Sequence, residues 1–483
     1  MNSGYEPVIG LEIHARLLTK SKIFCSCENS FGGAPNTRTC PVCLGLPGCL
    51  PVLNKEVVRL AIKTGLALNS NIAQFTKFDR KNYFYPDLPK AYQISQYDMP
   101  ICEGGYLDVP LNDGIKRVNL TRIHLEEDAG KLLHSTDDFV RASRSFVDYN
   151  RCGTPLIEIV TEPELNTPEE TYTFLTELKK ILLYLEVCDC NMEEGSLKCD
   201  ANISVRLNGE IKLGTKAELK NMNSFKNIKT GLSYEIERQI NAIKNGEKIV
   251  QETRLWNAQK NITESMRSKE EAHDYRYFPE PDLTPVIITK EEINEIRETL
   301  PELPLARFNR FKNEYSISEQ DARELLTDRG LADFFENVAK SVASPKSAAN
   351  WILVEMSSYV NDYNVLNIKD IPIKPEYLSE LITLIDKGII SGKIAKDVFK
   401  IMWETPQNPS EIIRSKGLVQ VTDTESIDTW VQEVIRENPK EVESYKSGKT
   451  KVIGFLVGQI MKKSRGKANP KVVNEIITKK LEL

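Results

Sequence analysis

Apolar and polar residues alternate through much of the first 290 positions, and apolar residues recur at spacings of three and four beyond that. In "VIGLEIHARL" (8–17), Ile9, Leu11, Ile13, Ala15 and Leu17 fall on one side of an extended strand. Gly10, Glu12, His14 and Arg16 fall on the other. "CDANISVRL" (199–207) repeats the device, with Cys199, Ala201, Ile203, Val205 and Leu207 on one face and Asp200, Asn202, Ser204 and Arg206 opposite. Such alternation predicts sheet with one packed and one wetted face. Two helices interrupt it, at about 167–186 behind an Asn166/Thr167 cap with Pro168 in the first turn, and at about 224–245.

After "YFPEPDLTPV" the texture turns helical. Thr289–Glu292 and Ser318–Asp321 fit capping boxes, and Ser344–Pro345 fits a cap followed by proline at the first turn. "ETPQNPSE" (404–411) breaks the pattern. Val452, Phe455, Leu456 and Met461, then Val472, Val473, Ile476, Ile477 and Leu481, predict two short amphipathic helices at the end. The expected fold class is α+β. A large sheet-rich domain spans 1–290, an all-α helical domain 291–408 and a small α-helical tail domain 409–483.

At 483 residues the chain exceeds what one compact core normally organises. It is 40% hydrophobic and 28% charged, and no run approaches the eighteen apolar residues of a membrane span. The N-terminal "MNSGYEPVIGLEIH" lacks a basic region followed by an apolar run, so no leader peptide is expected. Ten cysteines are too sparse for a disulfide scaffold and suit a reducing, cytoplasmic setting. The net charge of −5 argues against bulk binding of nucleic acid, yet it conceals an asymmetry. From Tyr445 to Leu483 ten Lys/Arg face two Glu, a local +8 on a body of about −13. A basic tail on an acidic body points to a polyanionic partner at that end.

Cys25, Cys27, Cys40 and Cys43 form C-x-C, twelve intervening residues, then C-x-x-C. Two close thiol pairs joined by a glycine-containing loop can converge on one tetrahedral zinc, which would hold the loop and leave no open position for chemistry. In "PLIEIV" (155–160), Glu158 interrupts an apolar run, where a carboxylate needs a cation or a donor. With Glu12, His14 and the consecutive Glu126, Glu127 and Asp128, it makes a set of oxygen ligands plus an imidazole. That set suits Mg²⁺ or Mn²⁺ better than zinc. Solvated sheet faces account equally for Glu12, His14 and Asp200, and an acidic turn for Glu126, Glu127 and Asp128, whereas Glu158 within its apolar run is more telling. A phosphate-cradling G-x-x-x-x-G-K-[ST] loop, kinase signatures and a nucleophile elbow are all absent. "KFDRKNYFYPDLPKAYQ" (77–93) and "GTKAELKNMNSFKNI" (214–228) mix basic side chains with amides, and the first adds Tyr83, Phe84 and Tyr85. Such mixtures suit base stacking and phosphate contacts, or an ordinary strand surface.

In order, "VIGLEIHARL", "KFDRKNYFYPDLPKAYQISQ", "HLEEDAGK", "RCGTPLIEIVTEPE", "MEEGSLKCDANISVR", "GTKAELKNMNSF" and "HDYRYFPEPDL" closely resemble the B subunits of glutamine-dependent aspartyl/glutamyl-tRNA amidotransferases. The resemblance extends into the helical and tail regions. It implies a catalytic cradle domain that uses ATP and Mg²⁺ to phosphorylate the side-chain carboxylate of Glu-tRNA(Gln) or Asp-tRNA(Asn). It also implies an amidase-type A subunit, which supplies ammonia from glutamine through a channel, and a small C subunit that straps the two together. The chain itself carries no glutaminase signature. By resemblance, Glu12, His14, Glu127 and Glu158 are the Mg²⁺ ligands. Glu126 and Lys81 lie near the catalytic pocket and channel mouth, and Asp200 is a further catalytic candidate. The four cysteines would hold zinc, and the basic tail would contact tRNA. Three rivals stand beside this reading. One is a zinc-containing RNA-binding protein without catalysis, the second a self-contained ATP-dependent ligase or kinase, and the third a scaffold whose site has decayed, against which the intact ligand set speaks.

Overall fold

The computed structural model describes residues 4–134, 144–266, 275–363, 365, 368–418, 424–464 and 468–481. Residues 273 and 274, which open the "HDYRYFPEPDL" string, lie outside them. The chain divides into two compact units, Met1–Pro304 and Leu305–Leu483.

The first unit is built on a ten-stranded sheet. Its centre is formed by β1 (Tyr5–Arg16), β2 (Gly114–Glu127), β3 (Pro155–Thr161) and β4 (Leu197–Leu207), side by side in the order β4-β1-β3-β2 and antiparallel throughout. Strands Ala217–Lys220, Glu252–Asn257 and Ile262–Ser265 extend the sheet beyond β4. The alternation expected of β1 is realised: Ile9, Leu11, Ile13 and Ala15 are buried while Glu12 and His14 are half-buried on the other face. In β4 the same holds for Cys199, Ala201, Ile203 and Val205, whereas Leu207 at the strand's end is exposed.

Three helices supply residues to the core on the apolar face. They are α1 (Lys55–Ala67), α2 (Pro168–Tyr184) and α3 (Phe225–Lys244), with Leu60, Phe174, Leu178, Ile228 and Leu232 among the contributors. Thr167 caps α2 by accepting from the Glu170 N–H, and Ser224 caps α3 by accepting from the Asn227 N–H, which is why both helices start where the chain pattern places them. Helix α1 is not foreshadowed by the alternation. Asn54 caps it, and its stretch "EVVRLAIKTGLA" is apolar on nearly every turn because α1 is buried on most sides. Helix α4 (Lys290–Glu298), opened by the Thr289–Glu292 capping box, places Ile293 and Ile296 in the same core.

The second unit is helical in its described residues. Ser318 and Ser344 cap helices by accepting from the Asp321 and Ser347 N–H groups, but Ser318–Asp321 forms only this half of the expected capping box. Phe311, Tyr315 and Phe335 pack ring to ring, as do Trp351, Tyr359, Phe399 and Trp403. The end of the chain has a separate core. There Leu456, Ile460, Val473, Ile477 and Leu481 from the two foreseen helices, Ile453–Lys463 and Pro470–Leu481, meet Ile427, Val431 and Val434 of Thr424–Glu437.

Candidate functional site

The polar face of the central sheet gathers two imidazoles and two carboxylates from three strands. Register places His14 of β1 opposite Glu158 of β3, and Glu158 opposite His124 of β2, so the three side chains form one row across the sheet. His14 Nε2 lies 3.3 Å from Glu158 Oε2 and 3.5 Å from Glu126 Oε1. His124 Nε2 lies 3.3 Å from the same Glu158 oxygen and 3.9 Å from Glu126 Oε2. Acid and imidazole therefore alternate around a small ring.

Electrostatics follow from that ring. Burial opposes a charged His14, but its hydrogen bond to Glu158 and the charges of Glu126, Glu158 and Asp200 prevail and lift it to about 9, so a divalent ion that took Nε2 as a ligand would displace a proton. Burial also favours a protonated Glu158, yet hydrogen bonds from His124 and His14 hold its carboxyl far below the usual range. Glu126, almost fully buried, is pushed up by desolvation, against which His14, His124 and Lys81 act. Ligand atoms of His14, Glu126 and Glu158 all lie within 4.8 Å of one another, the spacing of groups that one divalent ion can collect. A mixed carboxylate–imidazole set of this kind fits Mg²⁺ or Mn²⁺.

The expected ligands do not all point there. Glu12 shares the face, paired with Asp200 and Val160, but its carboxylate accepts from Asn202 Nδ2 at 3.0 Å. With Gly10, Asn202, Ser204 and Lys216 it lines a cavity of about 330 Å³ on that side of the sheet. Asp200 accepts from Lys220 Nζ at 3.0 Å. Lys81 lies with its ammonium 4.8 Å from the centre of the Tyr275 ring.

Glu127, next to Glu126 along an extended strand, turns to the opposite face. There it accepts from Lys90 Nζ and, at 2.9 Å, from the Ile94 N–H. Asp128 pairs with Arg151 at 3.2 Å. The three consecutive acids thus serve three different partners. His124 is not singled out by the sequence as a site residue, and Lys90 only as one of the basic residues of 77–93. The period-two spacing of His124 and Glu126, the same as that of Glu12 and His14, was the available signal for the histidine.

Of the basic residues in 77–93, most are engaged locally. Arg80 donates to both Glu280 oxygens at 2.7 Å, and Lys77 pairs with Asp79 and Asp98 at 2.6 Å each.

The four cysteines of the loop converge. Cys43 Sγ lies 3.5 Å from Cys25, 3.7 Å from Cys40 and 3.8 Å from Cys27. A tetrahedral ion with Zn–S bonds of about 2.3 Å separates its sulfurs by about 3.8 Å, so these positions fit zinc without rearrangement. Glu127, Lys90, Cys25 and Cys43 line one cavity of about 210 Å³. Gly45 permits this approach: at φ +64°, a Cβ there would meet Lys90 Cγ at 2.3 Å.

Fold and site together define a sheet-borne acid–imidazole centre, a four-cysteine loop and a following helical region. The GatB/GatE catalytic domain family matches residues 7–294, and the GatB domain matches residues 333–481. Full-length relatives are named as the B subunit of aspartyl/glutamyl-tRNA(Asn/Gln) amidotransferase. The protein of Caldanaerobacter subterraneus subsp. tengcongensis is 56% identical over 477 residues, 99% of each chain. Those of Carboxydothermus hydrogenoformans and Thermodesulfovibrio yellowstonii are 55% and 52% identical, again over 99% of each chain. The chain belongs to the GatB family. Among the described residues no helix is long and apolar enough to cross a membrane.

Proposed function

We propose that this chain is the B subunit of a cytoplasmic, glutamine-dependent tRNA amidotransferase, and that it activates the side-chain carboxylate of Glu-tRNA(Gln) or Asp-tRNA(Asn) by ATP-dependent phosphorylation. The observation that carries the reading is the convergence of His14, Glu126 and Glu158 on the polar face of the sheet, in a chain of this family.

A free carboxylate resists amidation because its leaving group would be an oxide or hydroxide. Phosphorylation breaks the bond between the γ-phosphorus and its bridging oxygen, joins that phosphorus to a carboxylate oxygen and releases ADP. Ammonia then attacks the acyl carbon and phosphate departs. A divalent ion held by His14, Glu126 and Glu158 would supply charge neutralisation for the transferring group. The cavity beside Glu12 suits the nucleotide: Lys216 offers a cation, and Ser204 and Asn202 offer hydrogen bonds. Lys81 and the Tyr275 ring form a mixed basic and aromatic surface of the kind that receives an unpaired 3′ end. Ammonia reaches the site from an amidase-type A subunit, with a small C subunit completing the heterotrimer. The basic tail meets the tRNA. Zinc on Cys25, Cys27, Cys40 and Cys43 fixes the loop beside Glu127.

The test is ADP formation by this chain assembled with A and C subunits, with and without each misacylated tRNA, in Mg²⁺ and then in EDTA. ADP release that needs both tRNA and metal is the expected result. No tRNA-stimulated ADP with either substrate would leave a non-catalytic RNA-binding protein as the better reading.

A further inference from the structure

Lys22 is fully buried. Its ammonium donates to the Arg38 carbonyl at 2.8 Å and to Cys43 Sγ at 3.5 Å. Among the described residues no carboxylate pairs with it. Its backbone is pinned by the thiol loop itself, since the Lys22 N–H donates to the Cys27 carbonyl at 3.0 Å and the next N–H, of Ile23, to Gly153 at 2.9 Å. A buried ammonium is costly unless negative charge lies close by, and here the nearest source of it is sulfur. Four thiolates around a divalent ion leave a net charge of about −2, which itself needs compensation in a partly buried loop. Each requirement answers the other.

We propose that Lys22 is the built-in counter-cation of the tetrathiolate site, a positioning residue that hydrogen-bonds the Cys43 thiolate and strengthens retention of the metal. The proposal rests on the zinc reading of the four cysteines. An N–H···S bond withdraws electron density from Cys43, so this sulfur differs electronically from the other three. Outer partners that fix a ligand in this way typically change metal affinity by about 10- to 100-fold.

The test uses the full chain in three forms: wild type, Lys22→Met and Lys22→Gln. Zinc content and affinity are measured by mass spectrometry and chelator competition. Cobalt(II) is then substituted, and the sulfur-to-cobalt charge-transfer band is recorded. Wild type is expected to hold one tetrahedral ion. Lys22→Met should lose about 10- to 100-fold in zinc affinity and move the band to longer wavelength, a signature that loss of packing alone does not produce. Lys22→Gln, which keeps a donor without the charge, should fall between the two and serves if the methionine variant does not fold. Metal held by wild type with affinity and band unchanged in the variants overturns the role of Lys22 alone. A wild type that holds no ion on these sulfurs overturns the zinc reading and this role with it.

Discussion

His14 and Glu158 stand directly opposite one another in an antiparallel strand pair, with Nε2 3.3 Å from Oε2. Neither side chain is on a loop, so the geometry between them is set by backbone hydrogen bonds on both sides of β3. A centre built this way is stiff, and its function depends on the chemistry of each group more than on loop motion.

Glu158→Gln keeps the shape and removes the charge that both imidazoles face. The variant is expected to assemble normally with its partner subunits while tRNA-dependent ADP formation falls by about 10²-fold or more. Near-normal ADP release would take Glu158 out of the activation step.

Glu126 and Glu127 are neighbours in sequence on opposite faces of β2. Glu126→Gln should weaken Mn²⁺ binding, followed by the free-ion electron paramagnetic resonance signal, by about tenfold or more, and Glu127→Gln should leave it unchanged. An equal loss in the two variants would mean that Glu127 swings to the ion's side, against its hydrogen bonds to Lys90 and Ile94.

Helices Thr424–Glu437, Ile453–Lys463 and Pro470–Leu481 share a core of their own, and the segment from Tyr445 to Leu483 carries ten Lys/Arg against two Glu. Removing residues 419–483 should weaken tRNA binding and flatten its salt dependence, with ATP affinity unchanged. Unaltered tRNA affinity in a filter-binding titration would remove the tail from the interface.

Glu336 joins helix Arg329–Ala339 to helix Pro304–Tyr315, accepting from Arg307 at 2.9 Å and from Arg310 at 2.8 Å and 3.0 Å. Burial acts to raise its carboxyl, but the hydrogen bonds from Arg310 and Lys340 and the charges of Arg310 and Arg307 lower it to about 2. A carboxyl depressed in the folded state adds stability above its unfolded value of 4.5, and that contribution is lost as pH falls toward about 2. At pH 6 Glu336→Gln should cost about 2 kcal/mol in urea unfolding of the full chain, and the gap to wild type should narrow steadily below pH 4.5. A gap independent of pH would show that packing, and not charge, is what the side chain contributes.

Much of the architecture was legible from local pattern, because the signals involved are local. Period-two alternation set the faces of β1 and β4. The caps at Thr167, Thr289, Ser318 and Ser344 set helix starts, and the spacing of Cys25, Cys27, Cys40 and Cys43 announced a convergent thiol site. Helix α1 escaped because a helix buried on most sides shows no polar stripe. What the tertiary structure decided was partnership. In an extended strand successive side chains leave opposite faces, so Glu126, Glu127 and Asp128 cannot share one ligand role, yet only the neighbouring strands determine which face holds the imidazoles and which holds Lys90. The row His14–Glu158–His124 likewise exists only through the register of three strands distant in sequence. Alternation names the residues available to a face, but the pairing of strands far apart along the chain is a property of the folded sheet.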